Sequence, residues 1–151
     1  MSEPLDIAFA EAAAAAARGE VPVGAVVVGP DGAVLARAGN EVEARADPTA
    51  HAELLALRAA AARLGSPRLE GCELVVTLEP CPMCAAAIGF ARIKRLVFAA
   101  YDAKGGGVDH GPRIFAQPTC HHRPEVVGGV RAADAERLMK DFFAGLRRAA
   151  S

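Results

Sequence analysis

Four residues in two short segments have the types and spacing of a catalytic metal site. His51 and Glu53 are separated by one residue, and Cys81 and Cys84 by two residues. Thiolate and imidazole groups bind zinc tetrahedrally, and a catalytic zinc leaves one of its four positions open for water. Two cysteines three positions apart fall on one face of a helical turn. The pattern predicts one zinc ion per chain, held by His51, Cys81 and Cys84.

Glu53 requires a different role, because residues two apart on a regular helix point about 200° away from each other. At the first turn of a helix, however, His51 and Glu53 can reach one point from opposite sides. One side chain would then touch the ion and the other its water, whose pKa zinc lowers to about 7. Glu53 is therefore predicted to be a general acid and base in a hydrolytic reaction.

The predicted secondary structure brings these segments together. A helix opens at Asp47-Pro48-Thr49, carries His51 and Glu53 at its start and runs to about Leu64. The apolar run 72–78 predicts a buried strand that leads into the cysteine segment, where Pro82 suits the first turn of a helix reaching about Ala91. A strand over 95–100 follows, and such a strand-helix-strand unit has parallel strands.

The rest of the chain completes an α/β/α sandwich, which we expect to be a single domain over 1–151. An alanine-rich helix spans about 4–18, and two strands over 21–28 and 33–38 form an antiparallel hairpin, so the sheet is mixed. The segment 104–119 is a long glycine- and proline-containing loop, a kind that is more often functional than idle. From Ala135 a helical apolar stripe predicts a last helix, whose phenylalanines we expect to face the core or a dimer partner.

Composition limits the class of protein. The chain has 151 residues, 52% of them hydrophobic, and a formal net charge of −1. It contains no stretch near the roughly 18 apolar residues of a membrane helix, and its acidic start resembles no export or transit signal, so we expect a cytoplasmic protein. A polyanionic partner would need a local basic patch. Candidates for that patch are Lys94, Arg95, Lys104, Arg113, Arg123, Arg147 and Arg148.

Four stretches of the sequence carry a family resemblance. They are 20–26 (EVPVGAV), 47–53 (DPTAHAE), 77–84 (TLEPCPMC) and 101–104 (YDAK). The chain resembles the cytidine-deaminase-like zinc enzymes, whose signature is H-x-E with P-C-x-x-C. More narrowly, it is similar over nearly its whole length to the bacterial tRNA adenosine deaminases.

The resemblance implies a three-layer α/β/α fold with a mixed five-stranded sheet and a specific reaction. A wobble-position adenosine in a tRNA anticodon would be deaminated to inosine with release of ammonia, Glu53 moving the protons. Asn40 would contact the flipped-out base, Val21 would form part of the pocket wall, and Asp102 would lie near the nucleotide backbone. The family is homodimeric and binds the anticodon stem-loop near the subunit interface, so the same is expected here.

Two segments depart from the usual family pattern. Residues 105–121 replace a more helical, leucine-bearing segment, and Gly89-Phe90-Ala91 replaces a bulkier polar run. Neither change affects the predicted zinc ligands or Glu53. The resemblance is weakest in the C-terminal half of the surface that would contact RNA.

Other interpretations stay open at the level of sequence. The same zinc chemistry serves deaminases of free guanine, cytosine or cytidine, since pocket and loop residues select the substrate. A structural zinc module that binds RNA without turnover would need a fourth ligand, such as Cys72, Cys120 or a C-terminal histidine. A redox C-x-x-C pair would not explain the distant His51 and Glu53. Cys120-His121-His122 could bind a second metal, contact a substrate or partner, or form an ordinary loop.

Overall fold

The central layer of the fold is a five-stranded mixed sheet. A computed structural model gives residues 2–150. The strand order is β2-β1-β3-β4-β5, with β1 antiparallel to both of its neighbours and β3, β4 and β5 mutually parallel. The strands are β1 (Gly24–Val28), β2 (Val34–Gly39), β3 (Glu73–Leu78), β4 (Arg95–Ala100) and β5 (Glu125–Val127). The predicted mixed five-stranded sheet is confirmed.

Helices cover both faces of this sheet. They are α1 (Ser2–Ala17), α2 (Val42–Arg45), α3 (Ala52–Leu64), α4 (Pro82–Phe90) and α5 (Ala132–Ala150). Because successive side chains of a strand point to opposite faces, the sheet supplies two cores. Val27 and Leu74 belong to the core on the α3 and α4 side, whereas Val26 and Val75 belong to the core on the α1 and α5 side. The three-layer α/β/α prediction is therefore confirmed.

Two glycines paired across β1 and β2 allow α1 to lie close to the sheet. Gly24 and Gly39 are register partners. A Cβ at Gly24 would overlap the carbonyl oxygen of Ala8, and one at Gly39 would lie 2.7 Å from the carbonyl oxygen of Glu11. This close approach fixes the start of β1, three residues after Val21, and the end of β2, directly before Asn40.

The carboxyl ends of two parallel strands meet at one edge of the sheet. β3 ends before Glu79 and Cys81, and β4 ends before Tyr101 and Asp102. In open α/β sheets, ligands bind at this edge. Residues 102–113, here called the glycine-rich loop, follow β4 and contain no helix or strand. They lie directly against the cysteine segment that follows β3.

Several elements differ in detail from the sequence predictions. α3 begins at Ala52 with His51 as its cap, and α5 begins at Ala132, three residues before the predicted Ala135. The four-residue α2, a 3₁₀ turn over Ile114–Ala116 and the location of β5 were not predicted. Among the helices that the structure describes, none is long and apolar enough to cross a membrane.

Candidate zinc centre and substrate cavity

The three predicted zinc ligands converge at the starts of two helices. His51 is the N-cap of α3 and Cys81 is the N-cap of α4, both with extended backbone, while Cys84 lies in the first turn of α4 behind Pro82. The Nδ1 atom of His51 is 3.6 Å from Sγ of Cys81 and 3.5 Å from Sγ of Cys84. Helix N-termini favour thiolates through their dipoles. The starts of two helices thus provide the three ligands, together with part of the positive potential that favours the thiolate form of the cysteines.

The distances within this group fit zinc. Zinc–sulfur bonds of about 2.3 Å and zinc–nitrogen bonds of about 2.0 Å, at a tetrahedral angle, separate nitrogen from sulfur by about 3.5 Å. The three ligand atoms all lie within 4.8 Å of one another, and they form the only such group among residues 2–150. Cys72 is buried in the core and Cys120 lies outside the group. Three ligands without a fourth are the arrangement of a catalytic zinc and not of a structural one.

The hydrogen bond between the two cysteines moves the pKa values of their thiols in opposite directions. Hydrogen bonds from Cys84 and then His51 lower the pKa of Cys81 to about 4, against the opposing effect of burial. The same hydrogen bond to Cys81, together with burial, raises the pKa of Cys84 far above its usual range. One thiolate is therefore present at neutral pH. The proton on Cys84 would be released on metal binding, since ligating thiols are deprotonated.

Glu53 is buried beside the ligands without belonging to their group. It lies in the first turn of α3 with 4% of its surface exposed. Burial is the main cause that raises the pKa of its carboxyl group to about 7. A general acid and base works best with a pKa near the working pH. The position of Glu53 and the raised pKa suit a proton carrier, a role that stays a prediction.

A cavity of about 600 Å³ opens over this centre. Its lining includes the predicted site residues His51, Glu53, Cys81, Asn40, Val21 and Asp102. Cys84 is buried beneath them. The structure therefore brings all seven predicted site residues to one place, although they come from five separate parts of the chain.

Asn40 links the cavity wall to the metal centre. Its side-chain oxygen accepts a hydrogen bond of 2.7 Å from the backbone N–H of Ala52, in the first turn of α3. Its own backbone is held by Val23 and by the guanidinium group of Arg18. The side-chain nitrogen of Asn40 makes no hydrogen bond to another described residue, so it can donate into the cavity.

Asp102 shapes another part of the cavity wall. Its Oδ1 atom accepts hydrogen bonds from the backbone N–H groups of Lys104, at 3.2 Å, and Gly105, at 2.9 Å. The carboxylate thereby closes a tight turn at the start of the glycine-rich loop. Asp102 and Gly105 both line the cavity.

Sequence reasoning missed two buried carboxylates near the cavity. Glu20 accepts hydrogen bonds from the backbone N–H groups of Glu43, at 3.0 Å, and Ala44, at 2.8 Å, and so holds α2. Glu79 accepts bonds from the glycine-rich loop. Both residues are 2% exposed. The available signal was a carboxylate beside an apolar strand segment, which is costly to bury unless it is hydrogen-bonded.

Three apolar residues of α5 also line the cavity, namely Phe142, Phe143 and Leu146. Phe143 and Leu146 are exposed, and Phe142 is half-buried. Phe143 does not face the core, so for this residue the expected contact with a dimer partner stays a prediction. The apolar stripe of α5 continues past the core and forms one rim of the cavity.

The histidines near the end of the loop region do not form a second metal site. Within the described part of the chain, the only candidate metal group is the one at His51. Cys120 donates to the carbonyl oxygen of His122 at 3.3 Å, and the Nε2 atom of His122 lies 2.7 Å from the carbonyl oxygen of Ile93. These contacts fasten the segment to the fold.

The predicted basic residues are spread over the molecule. Arg95 begins β4, at the sheet edge opposite Asp102, and forms ion pairs with Glu73 and Glu125. The guanidinium group of Arg123 donates to two backbone carbonyls. Lys104 lies in the glycine-rich loop, one residue from the cavity wall.

Comparison with known proteins also indicates a zinc-binding deaminase. A family model for the cytidine and deoxycytidylate deaminase zinc-binding region matches residues 2–100. A tRNA-specific adenosine deaminase of Agrobacterium fabrum is 51% identical over 139 residues, covering 92% of this chain and 91% of that protein.

Solved structures agree with these relatives. One from a study of A-to-I editing by tRNA:A34 deaminases matches with a TM-score of 0.89 at 50% identity, covering 91% of this chain and 99% of the other. The guanine deaminase of Nitrosomonas europaea matches with a TM-score of 0.75 at 26% identity, covering 93% and 83%. The chain belongs to the cytidine and deoxycytidylate deaminase family of zinc enzymes and, within it, to the tRNA-specific adenosine deaminases.

Proposed function

We propose that this protein deaminates the wobble-position adenosine of a tRNA anticodon to inosine, using water and releasing ammonia. The observation that carries the proposal is the position of Glu53, which is buried in the same cavity as His51 and Cys81. That arrangement supplies hydrolytic chemistry to one face of a base. The choice of substrate follows the relatives, which cover nearly the whole chain at about half identity.

We assign the proton transfers to Glu53. When bound by His51, Cys81 and Cys84, zinc would lower the pKa of a water molecule to about 7 and so supply a nucleophile. The Glu53 carboxylate takes a proton from that water and delivers it to the ring nitrogen beside the reacting carbon. The hydroxide bonds to that carbon, and Glu53 would then take the proton of the newly added hydroxyl group and pass it to the amino group. The amino group leaves as ammonia as its bond to the carbon breaks and the carbonyl group forms.

We propose that the other predicted residues orient the base. The side-chain nitrogen of Asn40 can donate to a ring nitrogen of the flipped adenine, and Val21 gives an apolar wall. Phe143 and Leu146 present apolar surface at the rim, where unstacked bases adjacent to the target could lie. A rim of this kind suits a single-stranded loop better than a free base.

We further propose that the enzyme is a cytoplasmic homodimer, as expected from the family. The side chain of Phe90, at the end of α4, is 77% exposed. It lies beside a second cavity of about 230 Å³ whose lining includes Ala86 and Ile114. Phe90→Ser should shift the protein toward monomer in sedimentation velocity at low micromolar concentration. An unchanged dimer would place the interface elsewhere, and a monomeric wild type would contradict the dimer itself.

Deamination of a free base is the second candidate function. The guanine deaminase of Nitrosomonas europaea has the same fold, so the shared architecture does not select the substrate. A panel decides between the two: an anticodon stem-loop containing adenosine at the wobble position, and free adenosine, guanine, cytosine and cytidine. We expect inosine and ammonia from the stem-loop alone, with binding weakened by added salt. Comparable turnover of a free base would contradict the tRNA assignment.

A further inference from the structure

Glu79 is a buried carboxylate that the deamination chemistry does not use. It follows β3 and precedes the ligand Cys81 by two residues. Its side chain has no exposed surface. Within residues 2–150 the Glu79 side chain forms no ion pair with lysine or arginine. Its one side-chain partner is the imidazole of His110, and its other partners are backbone N–H groups. Burying a carboxylate costs free energy unless hydrogen bonds replace those that it made with water. The groups that bond to Glu79 therefore indicate its role in the structure.

All five hydrogen bonds of the Glu79 side chain go to the glycine-rich loop. Oε1 accepts from the backbone N–H of Asp102 at 3.0 Å and lies 2.8 Å from Nδ1 of His110. Oε2 accepts from three successive backbone N–H groups: Val108 at 3.2 Å, Asp109 at 2.9 Å and His110 at 3.1 Å. Hydrogen bonds to an ionised acceptor are about twice as strong as neutral ones. A single side chain thus joins both ends of a loop that has no secondary structure of its own.

The loop can reach Glu79 only because two of its residues lack a Cβ. A Cβ at Gly106 would lie 2.5 Å from Cδ of Glu79, and one at Gly107 would lie 2.5 Å from the backbone nitrogen of Pro82. Gly107 also donates its backbone N–H to the carbonyl oxygen of Pro80 at 2.8 Å. The loop and the cysteine segment are therefore packed backbone against backbone.

We propose that Glu79 is a positioning residue for substrate binding, which sets the cavity wall formed by Asp102 and Gly105 through its hydrogen bonds to the glycine-rich loop. This inference rests on the proposed function for its substrate. Glu79 does not touch the reacting atoms. The backbone N–H of Asp102 is bound to Glu79, and the side chain of Asp102 closes the turn at Gly105, so the wall moves if Glu79 no longer holds it.

The variant that tests this role is Glu79→Gln. The substitution keeps the shape of the side chain but replaces one accepting oxygen with an NH₂ group, which faces N–H donors and cannot accept from them. We expect the KM for the anticodon stem-loop to rise about tenfold or more, the loss typical of unmade bonds to a charged group. We expect kcat to change by less than about threefold and zinc content to stay at the wild-type level. A merely structural defect would lower the active fraction, and therefore apparent kcat, at constant KM.

Two further variants make the test specific. His110→Ala removes one of the five bonds and leaves the backbone donors in place, so it should raise KM in the same direction by a smaller factor. Glu73→Gln is the matched control, because Glu73 begins β3, the strand that ends directly before Glu79, and is paired there with Arg95. It should leave KM and kcat within about twofold of wild type. If Glu79→Gln does not fold, His110→Ala alone decides, and an unchanged KM in that variant would then overturn the proposal.

Amide hydrogen exchange of the zinc-loaded protein without substrate separates this proposal from the proposed function. In Glu79→Gln the amides of Asp102, Val108, Asp109 and His110 should exchange faster, while those of α3 stay unchanged. Unchanged exchange at these four amides, or a fall in kcat at constant KM, would overturn the role of Glu79. If the wild-type protein instead turns over a free base and not the stem-loop, the proposed function fails, whereas the exchange result still stands or falls on its own.

Discussion

The zinc centre and the glycine-rich loop are neighbours that are held in place by different means. His51, Cys81 and Cys84 are fixed at the starts of two helices, where Pro82 opens α4 and Asn40 binds the first N–H of α3 from 12 positions away. The glycine-rich loop is fixed by the carboxylate of Glu79, which is 23 or more positions away along the chain. The chemistry of the site therefore depends largely on local patterns, whereas one wall of its cavity depends on a single long-range group. Substitutions in the two regions should therefore change different properties of the protein, and by different amounts.

Removal of a zinc ligand should have the largest effect. Cys81→Ala or Cys84→Ala leaves two ligands, so each variant should lose its zinc and all measurable ammonia release. Metal analysis by atomic spectrometry, with an ammonia assay on the same sample, checks both statements. Cys120→Ala is the matched control and should keep wild-type zinc, since Cys120 lies outside the ligand group. Full zinc retention in Cys81→Ala or Cys84→Ala would contradict the assignment.

Loss of Glu53 should stop the chemistry and spare the metal. Glu53→Ala removes the proton carrier, and we expect ammonia release to fall by about 10²- to 10⁴-fold while zinc content stays near one per chain. Glu43→Ala is a suitable control, because Glu43 is an exposed carboxylate on the lining of the same cavity. It should retain activity within about twofold of wild type. Loss of zinc from Glu53→Ala would show that Glu53 is a ligand.

The sequence predicted which residues converge at the candidate zinc centre, because the signals for them are local. A C-x-x-C at a strand-to-helix junction and an H-x-E at a helix start each fit within one helical turn, where spacing determines direction. The apolar run before the cysteines likewise predicted β3, since a strand buried on both faces needs no alternation. Asn40, Val21 and Asp102 came from the family resemblance, and the cavity contains all three.

The features that sequence reasoning missed depend on contacts distant in sequence. α2 is four residues long and is held by Glu20, and β5 is three residues long with two of them exposed, so neither has a periodicity to detect. Helical spacing showed that Phe142 and Phe143 share a stripe with core residues. It did not show that the cavity faces the end of that stripe. Periodicity determines which residues share a face, but packing determines what the face meets.

The glycine-rich loop packs closely on the cysteine segment, and a substitution that disturbs this contact should have an effect of intermediate size. In Gly107→Ala the new Cβ would meet the backbone of Pro82 and Cys81, which cannot yield as a flexible side chain would. We expect the free energy of unfolding to fall by about 1–3 kcal/mol, as in other overpacked sites. Urea unfolding at a fixed zinc concentration measures it.

Gly89→Ala is the control for this prediction. A Cβ at Gly89 would have its nearest neighbour at 3.4 Å, and alanine favours the helix in which Gly89 lies. The stability of this variant should therefore equal or slightly exceed that of wild type. Equal losses in the two variants would show that the loop packs no more tightly on the ligand segment than α4 packs on its surroundings.

The smallest effect is expected just beyond the glycine-rich loop, where an arginine holds the 3₁₀ turn. The guanidinium group of Arg123 donates to the carbonyl oxygens of Phe115, at 2.6 Å, and Gln117, at 2.8 Å. Lysine cannot reproduce this forked contact, so Arg123→Lys should lower the free energy of unfolding by about 1 kcal/mol. Neither carbonyl belongs to a residue that lines the cavity, so kcat and KM on the stem-loop should stay within about twofold of wild type. A KM rise comparable to that of Glu79→Gln would extend the substrate-binding wall to this turn and would make Glu79 only one of its supports.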